Sequence, residues 1–332
     1  MLPNQRIPTC IDALPAEDIV TPDRSDRAGP IKVLYVMGRG RSGSTIFANV
    51  LGQHDGYFAA GEVRFLWDPV VTQGAPCACG QIVSACPVWS QVLELVGDVA
   101  VADVARWQNE VVEERNLRKL LRYPNDGSWH ALESYRSVMT RVYDALTQVT
   151  GASVIVDSSK RPSYAAFVRL LEGCDLYCIQ LIRDPRASAY SWGTRRHPSA
   201  FGAGREVKRR NPLDSTIRWD VLNLEAQNLL KRLPVERRMR LRYEDFVAAP
   251  RTIAEEVIAF VGWPTKSPFL SEDMVELTPG HAIAGNPSRF ASGKLVIRDT
   301  GEWRTNQPPS HRFVATVLAL PFLRRYGYPL RP

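Results

Sequence analysis

The segment Gly38-Arg39-Gly40-Arg41-Ser42-Gly43-Ser44-Thr45 has the residue types and spacing of a phosphate cradle. Against the pattern G-x-x-x-x-G-K-[ST], Gly38 and Gly43 fit and Thr45 takes the hydroxyl position. Ser44 stands where the lysine of nucleoside triphosphatases would be. Glycines let backbone N–H groups converge on an anion, and a following helix N-terminus adds partial positive charge. Without the lysine that reaches β and γ phosphates, the loop suits a single phosphate, with Arg41 as the local cation. The literal match Gly38-x-Gly40-x-x-Gly43 to a dinucleotide fingerprint is weak, because Asp55 lies in no evident second strand.

A second set of anion ligands follows in Arg183-Asp-Pro-Arg186-Ala-Ser-Ala-Tyr-Ser191-Trp-Gly-Thr-Arg195. Arg183 falls at the carboxyl edge of an expected strand, where open parallel sheets bind ligands. Arg186, Ser191 and Arg195 come next on a helix, with Ser191 and Arg195 on one face. Together they offer donors for a further phosphate. Two anion sites at neighbouring strand ends suggest a nucleotide phosphorylated at both ends of its ribose.

Three thiols cluster in Cys77-Ala-Cys79-Gly-Gln-Ile-Val-Ser-Ala-Cys86, whereas Cys10, Cys174 and Cys178 are scattered. The cluster could bind a metal or form a disulfide. Zinc needs a fourth ligand, and no C-x-x-C pair or H-x-x-x-H follows. The sequence therefore reads as a structural loop with reduced or partly oxidised thiols, and no metal is expected.

These residues need elements to position them. Ile31-Lys-Val-Leu-Tyr-Val-Met37, bounded by Pro30 and Gly38, reads as a buried strand. Ile46, Phe47, Val50 and Leu51 have helical spacing over 42–51. Residues 88–150 read as mostly helical, with amphipathic stretches at Val111–Leu121 and Tyr135–Val149 and a stop at Gly151. Further strands are expected at 152–156, 176–182 and 239–243. Helices are expected at 163–171, from Arg186, from a cap at Asp214-Ser215 through Leu233, and at 252–261. Residues 197–213 read as a loop and residues 1–29 as an irregular arm. Alternating strands and helices predict an α/β fold: a P-loop-type, mainly parallel sheet flanked by helices. Residues 30–332 are expected to form one domain.

The 332-residue chain carries a formal charge of +7 and 45% apolar residues. That suits a soluble protein with an anionic partner. No RNA-binding signature, zinc-finger spacing or aromatic-basic interleaving is present, so nucleic acid is not an expected partner. No apolar run reaches the roughly 18–20 residues that cross a bilayer, and the N-terminus lacks the apolar core of a signal peptide. A cytoplasmic location is expected, with peripheral membrane contact still open.

The two anion motifs carry a resemblance to the PAPS-dependent sulfotransferases (PAPS is 3′-phosphoadenosine-5′-phosphosulfate), over most of residues 31–305. Arg41-Ser42-Gly43-Ser44-Thr45 is similar to the family's 5′-phosphosulfate loop. Arg183 and Ser191 match its 3′-phosphate pair. Tyrosylprotein sulfotransferases add an arginine that Arg195 resembles and a tyrosine that Tyr243, in Arg242-Tyr243-Glu-Asp-Phe, resembles. By the same resemblance Glu62 is the general base and Lys160 contacts the sulfuryl group. Arg41 and Lys160 then stabilise charge on the leaving group, with Asp157 orienting Lys160. Arg289 and Lys294 lie in a stretch like the family's late loop, which implies a place near the 3′-phosphate.

The implied activity is sulfuryl transfer from PAPS to an acceptor hydroxyl, releasing adenosine 3′,5′-bisphosphate (PAP). In-line displacement needs an aligned donor and acceptor, a base for the hydroxyl and stabilised leaving-group charge. A single phosphate held by amides and cations requires no metal. The acceptor is a small-molecule, glycan or lipid-linked hydroxyl, shaped by residues 88–150 and 197–213. Rival bases are His281 and His54, and Glu62 could instead be a surface carboxylate paired with Arg64. Rival functions are a small-molecule P-loop kinase with Asp157 or Asp184 on Mg²⁺, and a non-catalytic anion- or carbohydrate-binding module.

Overall fold

The computed structural model describes residues 29–194 and 209–331. The expected arm apart from Gly29, Cys10, Arg195 and residues 197–208 of the expected loop lie outside the described residues. The order begins β1 (Ile31–Met37), α1 (Ser44–Leu51), β2 (Tyr57–Gly61), α2 (Pro69–Gly74), α3 (Trp89–Val96), α4 (Val101–Val111), α5 (Leu117–Arg122) and α6 (His130–Thr150). It continues β3 (Val154–Lys160), α7 (Pro162–Val168), β4 (Cys174–Ile182), α8 (Pro185–Thr194), α9 (Pro212–Leu230), β5 (Arg238–Arg242), α10 (Tyr243–Ala248) and α11 (Pro250–Val261). The last part holds β6 (Met274–Leu277), β7 (Gly293–Val296), α12 (Glu302–Asn306), α13 (Pro309–Leu318) and α14 (Leu320–Arg325).

Five strands form one parallel sheet in the order β2-β3-β1-β4-β5, and β6 and β7 pair as a separate antiparallel hairpin. The central strand shows why the sheet is buried on both faces. Ile31, Val33, Tyr35 and Met37 pack into one core, while Leu34 and Val36 alternate into the other. Successive strand side chains point to opposite faces, so an unbroken apolar run is what a doubly covered strand requires. The first core is built with α3, α4, α6 and α7, and the second with α1, α11 and the hairpin.

Several expected boundaries move. The stretch Val111–Leu121 is two helices, because α4 ends at Val111 and a 3₁₀ turn at Glu114–Asn116 precedes α5. The start of α7 packs on the break: Ser163 Oγ donates to the Val112 carbonyl at 2.7 Å, and Arg161, which precedes the helix, pairs with Glu114. Helix α9 starts at Pro212, two residues before the expected cap. Asn211 is the actual cap, its side chain accepting the Asp214 N–H at 2.8 Å. Strand β3 runs beyond Asp157 to Lys160, because Lys160 still pairs with Met37. Strand β2 and the hairpin were not expected. Among the described residues, no helix is long and apolar enough to cross a membrane.

Candidate active site

Strand register brings the site together. Met37 lies beside Lys160 of β3 and Gln180 of β4. Gly61 lies beside Asp157, and Ile182 beside Arg242. The residues that end or follow these strands therefore meet at one sheet edge: the Gly38 loop, Glu62, Lys160, Arg183 and Tyr243. This is the carboxyl edge where parallel sheets bind ligands. The cleft there has a volume of about 830 Å³.

The loop after β1 is shaped for close backbone approach. Gly43 has φ 85°, and a Cβ there would lie 2.1 Å from the Tyr243 ring. A Cβ at Gly38 would lie 2.6 Å from the Leu181 carbonyl oxygen. Gly43 is the N-cap of α1 and supplies no side-chain cap, so the first N–H groups of the helix face the cleft uncapped. The Trp192 indole donates to the Gly40 carbonyl at 2.9 Å and stacks under Arg39, Arg41 and Arg210, 5.0, 5.3 and 5.1 Å from its centroid. Arg183 donates to the Arg41 carbonyl at 3.1 Å and lies 4.8 Å over the Tyr243 ring.

Arg39 was not singled out in the sequence, since its position in the phosphate pattern is variable. Its Nε and Nη2 are buried without a hydrogen-bond partner, as is Ser42 Oγ. Burial and the nearby Arg210 lower its pKa to about 10, which leaves it cationic near neutrality. Orphaned buried donors around an uncapped helix start fit a bound phosphate.

Glu62 follows β2 and is 7% exposed. Lys160 Nζ donates to Glu62 Oε1, and Arg64 is a more distant partner at 4.0 Å. Glu62 is thus a buried carboxylate facing the cleft, in contrast to the surface pair with Arg64. Its backbone N–H donates to the Ile283 carbonyl at 2.9 Å. Lys160 has φ 72° and Arg41 φ 77°, both in the left-handed region. Each such residue costs on the order of 1 kcal/mol, and strain of this kind gathers at functional sites. The pairing of β1 with β3 shifts between Tyr35 and Met37, as a bulge does when it re-aims a side chain.

Asp157 does not orient Lys160 as expected. It accepts from Tyr143 Oη at 2.6 Å, from the Ser159 N–H at 2.8 Å and from Ser159 Oγ at 2.5 Å. Burial raises its pKa to about 6, against the opposing effect of these bonds. Asp184 is likewise engaged, with Arg186 donating to both of its oxygens at 2.6 and 2.9 Å. The two carboxylates that a magnesium-dependent kinase would use are therefore held inside the protein. Arg186 is fully buried, also binds the Pro329 and Leu330 carbonyls, and is no phosphate ligand.

Of the residues singled out in the sequence, Arg41, Gly43, Ser44, Thr45, Glu62, Lys160, Arg183, Ser191 and Tyr243 line the cleft. Ser42 is buried and absent from the lining. Arg289 and Lys294 are not at the cleft. Arg289 is buried toward Pro76, and Lys294 is exposed on β7. The late segment instead offers Gly285 to Ser288, and the Asn286 N–H donates to Thr45 Oγ1 at 3.3 Å. His281 and His54 are absent from the lining. His54 is buried with Nδ1 3.2 Å from the Leu51 carbonyl, and burial lowers its pKa. The lining also includes Phe65, Glu114, Arg161, Arg218, Val221, Leu222 and Glu225. Only Glu114 among these comes from residues 88–150.

A family model described as sulfotransferase family matches residues 81–267, more than half of the chain. The phosphate loop and Glu62 lie before the matched span. The fold resembles the sulfotransferase domain from the curacin biosynthetic pathway, at 17% identity and TM-score 0.50, over 92% of this chain and 99% of that one. A sulfotransferase from Alicyclobacillus acidocaldarius aligns at 13% identity and TM-score 0.42, over 90% of this chain and 94% of that one. Comparison with curated proteins finds no match.

Proposed function

Because the chain belongs to the sulfotransferase family, we propose that it transfers a sulfuryl group from PAPS to an acceptor hydroxyl. The observation that carries this reading is the juxtaposition of the lysine-less phosphate loop with the Glu62–Lys160 pair in one cleft. The donor supplies the sulfuryl group and departs as PAP.

The protein's own part follows from its groups. The N–H groups at the start of α1, with Arg39 and Arg41, hold the 5′-phosphate. Arg183 and Ser191 take the 3′-phosphate, with Arg195 as a further candidate ligand. Glu62 accepts the proton of the acceptor hydroxyl, so that its oxygen attacks as the bond from sulfur to the leaving phosphate breaks. Lys160, held by Glu62 before the acceptor arrives, offers its charge to the oxygens that become more negative. The acceptor rests against Phe65, Val221 and Leu222 of the lining. Small-molecule, glycan and lipid-linked hydroxyls all suit this apolar wall with charged flanks.

Calorimetry with PAP in magnesium-free buffer tests the donor, and labelled PAPS with a panel of alcohols, sugars and phenols tests transfer. The expected result is PAP binding that Arg39→Ala and Arg183→Ala each weaken at least tenfold. Absence of PAP binding alongside magnesium-dependent ATP binding would overturn the reading.

A further inference from the structure

The cysteine loop gains in the fold the fourth ligand that its own stretch of sequence lacks. His281, 195 positions from Cys86, places Nδ1 3.2 Å from the Cys86 sulfur. One ligand atom from each of Cys77, Cys79, Cys86 and His281 lies within 4.8 Å of all the others. With Zn–S bonds of about 2.3 Å, the vertices of a tetrahedral zinc site are about 3.8 Å apart. The pairs farthest apart therefore need to draw together by no more than about 1 Å, while Cys86 and His281 part by about 0.3 Å. We propose that Cys77, Cys79, Cys86 and His281 form a structural Cys₃His zinc site.

The backbone is arranged as thiolate ligands require. The Cys79 N–H is directed at the Cys77 sulfur, the Gln81 N–H at the Cys79 sulfur, and the Val88 and Trp89 N–H groups at the Cys86 sulfur. Donors of this kind stabilise sulfur in its ionised form and orient it toward a metal. The turn is tight: the Gly80 N–H donates to the Cys77 carbonyl at 2.9 Å, and Gly80 has φ 88°. The Trp89 indole donates to the His281 carbonyl at 2.6 Å, which ties both parts of the site together. Cys77 and Cys86 are fully buried, so an ion here is shielded from bulk water.

Charge makes an independent case. Arg289 is only 3% exposed. It donates to the Gly285 and Pro76 carbonyls at 3.0 and 3.2 Å, and its Nε has no partner. Pro76 precedes Cys77, so a buried guanidinium stands beside the thiols. A zinc ion with three thiolates and a neutral imidazole has net charge −1, which complements that cation. Three thiol protons leave to solvent as the ion binds, with no redox change. An S₃N donor set of tetrahedral shape selects zinc over the harder cations.

The site also reaches the cleft through the backbone. Two residues beyond His281, Ile283 bridges to Gly61, donating to the Ala60 carbonyl at 3.1 Å and accepting the Glu62 N–H. Gly285 to Ser288 then line the cleft. The metal would fasten the strip that backs Glu62, as a positioning device apart from the reacting atoms.

The test uses the full chain purified under reducing conditions without chelator. Elemental analysis is expected to give about one zinc per chain. Cobalt(II) replacement is expected to give thiolate-to-metal charge-transfer absorption in the near ultraviolet and intense tetrahedral bands in the visible. Cys79→Ser, at the least buried thiol, is expected to lower metal content at least tenfold, and His281→Gln to shift the cobalt bands. Should these variants fail to fold, the wild-type protein decides alone. A strong chelator is expected to expose three additional thiols to a thiol reagent and lower the melting temperature, and zinc is expected to reverse both. Wild-type protein that holds less than about a tenth of an equivalent of zinc after zinc-supplemented dialysis would overturn the proposal. A Cys77–Cys86 disulfide in the reduced preparation, or chelator-insensitive melting and thiol counts, would do the same. None of these readouts depends on sulfuryl transfer, so failure here leaves the donor reading untouched.

Discussion

Glu62 and Lys160 hold each other ready at the sheet edge, and the arrangement separates a base from a ligand. Glu62→Gln keeps the shape and an acceptor for the Lys160 ammonium but cannot take a proton. Turnover is expected to fall about 10²–10⁴-fold, the usual contribution of a positioned base, with PAP affinity nearly unchanged. Steady-state transfer assays and calorimetry on the same preparation check both halves, and near-wild-type turnover would remove Glu62 as the base. A second carboxylate at the cleft, Glu225, behaves differently. Burial raises its pKa to about 7, so the fold favours its neutral form. The stability it contributes is full below its ordinary range near 4.5 and is lost as pH rises through about 7. Thermal melts from about pH 5 to about pH 8 are expected to fall more steeply for wild type than for Glu225→Gln. Some slope is expected to survive in the variant, because burial raises Asp220 to about 7 as well. Parallel curves for the two proteins would refute this assignment.

At the scale of elements, the junction of β1 with α1 is the most constrained piece of chain. Gly43→Ala puts a methyl group into the Tyr243 ring at a backbone angle that L-residues avoid. A loss of about 1–3 kcal/mol of stability and of most PAP affinity is expected. Gly74→Ala is the control, because a Cβ there meets nothing within 4 Å, and urea unfolding of both variants gives the comparison. This junction was also the most legible in the sequence. The length and β-branched content of the apolar run between Pro30 and Gly38 favour a buried strand, and β1 lies within those bounds. Strand β2, Tyr-Phe-Ala-Ala-Gly, carries little signal in sequence, because Ala and Gly have low β-propensity and its place is set by pairing with β3. The split between α4 and α5 was hidden for a related reason. It coincides with a pair of contacts to Arg161 and Ser163 at the start of α7, which local periodicity does not record. The place of Arg289 is not legible in the sequence, because its partner, the cysteine loop, is more than 200 residues away. The partnership of His281 with the thiols, 195 positions from Cys86, is hidden in the same way.

At the scale of the molecule, the candidate donor cleft draws on every strand of the parallel sheet, so ligand binding and folding are linked. PAP at about 100 times its dissociation constant is expected to raise unfolding stability by about 2.7 kcal/mol without magnesium. Urea unfolding at fixed protein concentration checks this, and an unchanged midpoint would contradict it. The strip from Gly285 to Ser288 closes the same cleft from late in the chain. Damage to that C-terminal part is therefore expected to register in nucleotide affinity as well as stability. One ring gives a way to watch this. Trp192 carries Arg39, Arg41 and Arg210 around its indole and donates to the phosphate loop itself. Any anion that draws those guanidinium groups away alters the quenching of its emission. The protein thus contains its own optical reporter for donor arrival, isolated from its seven other tryptophans by subtracting the spectrum of Trp192→Phe.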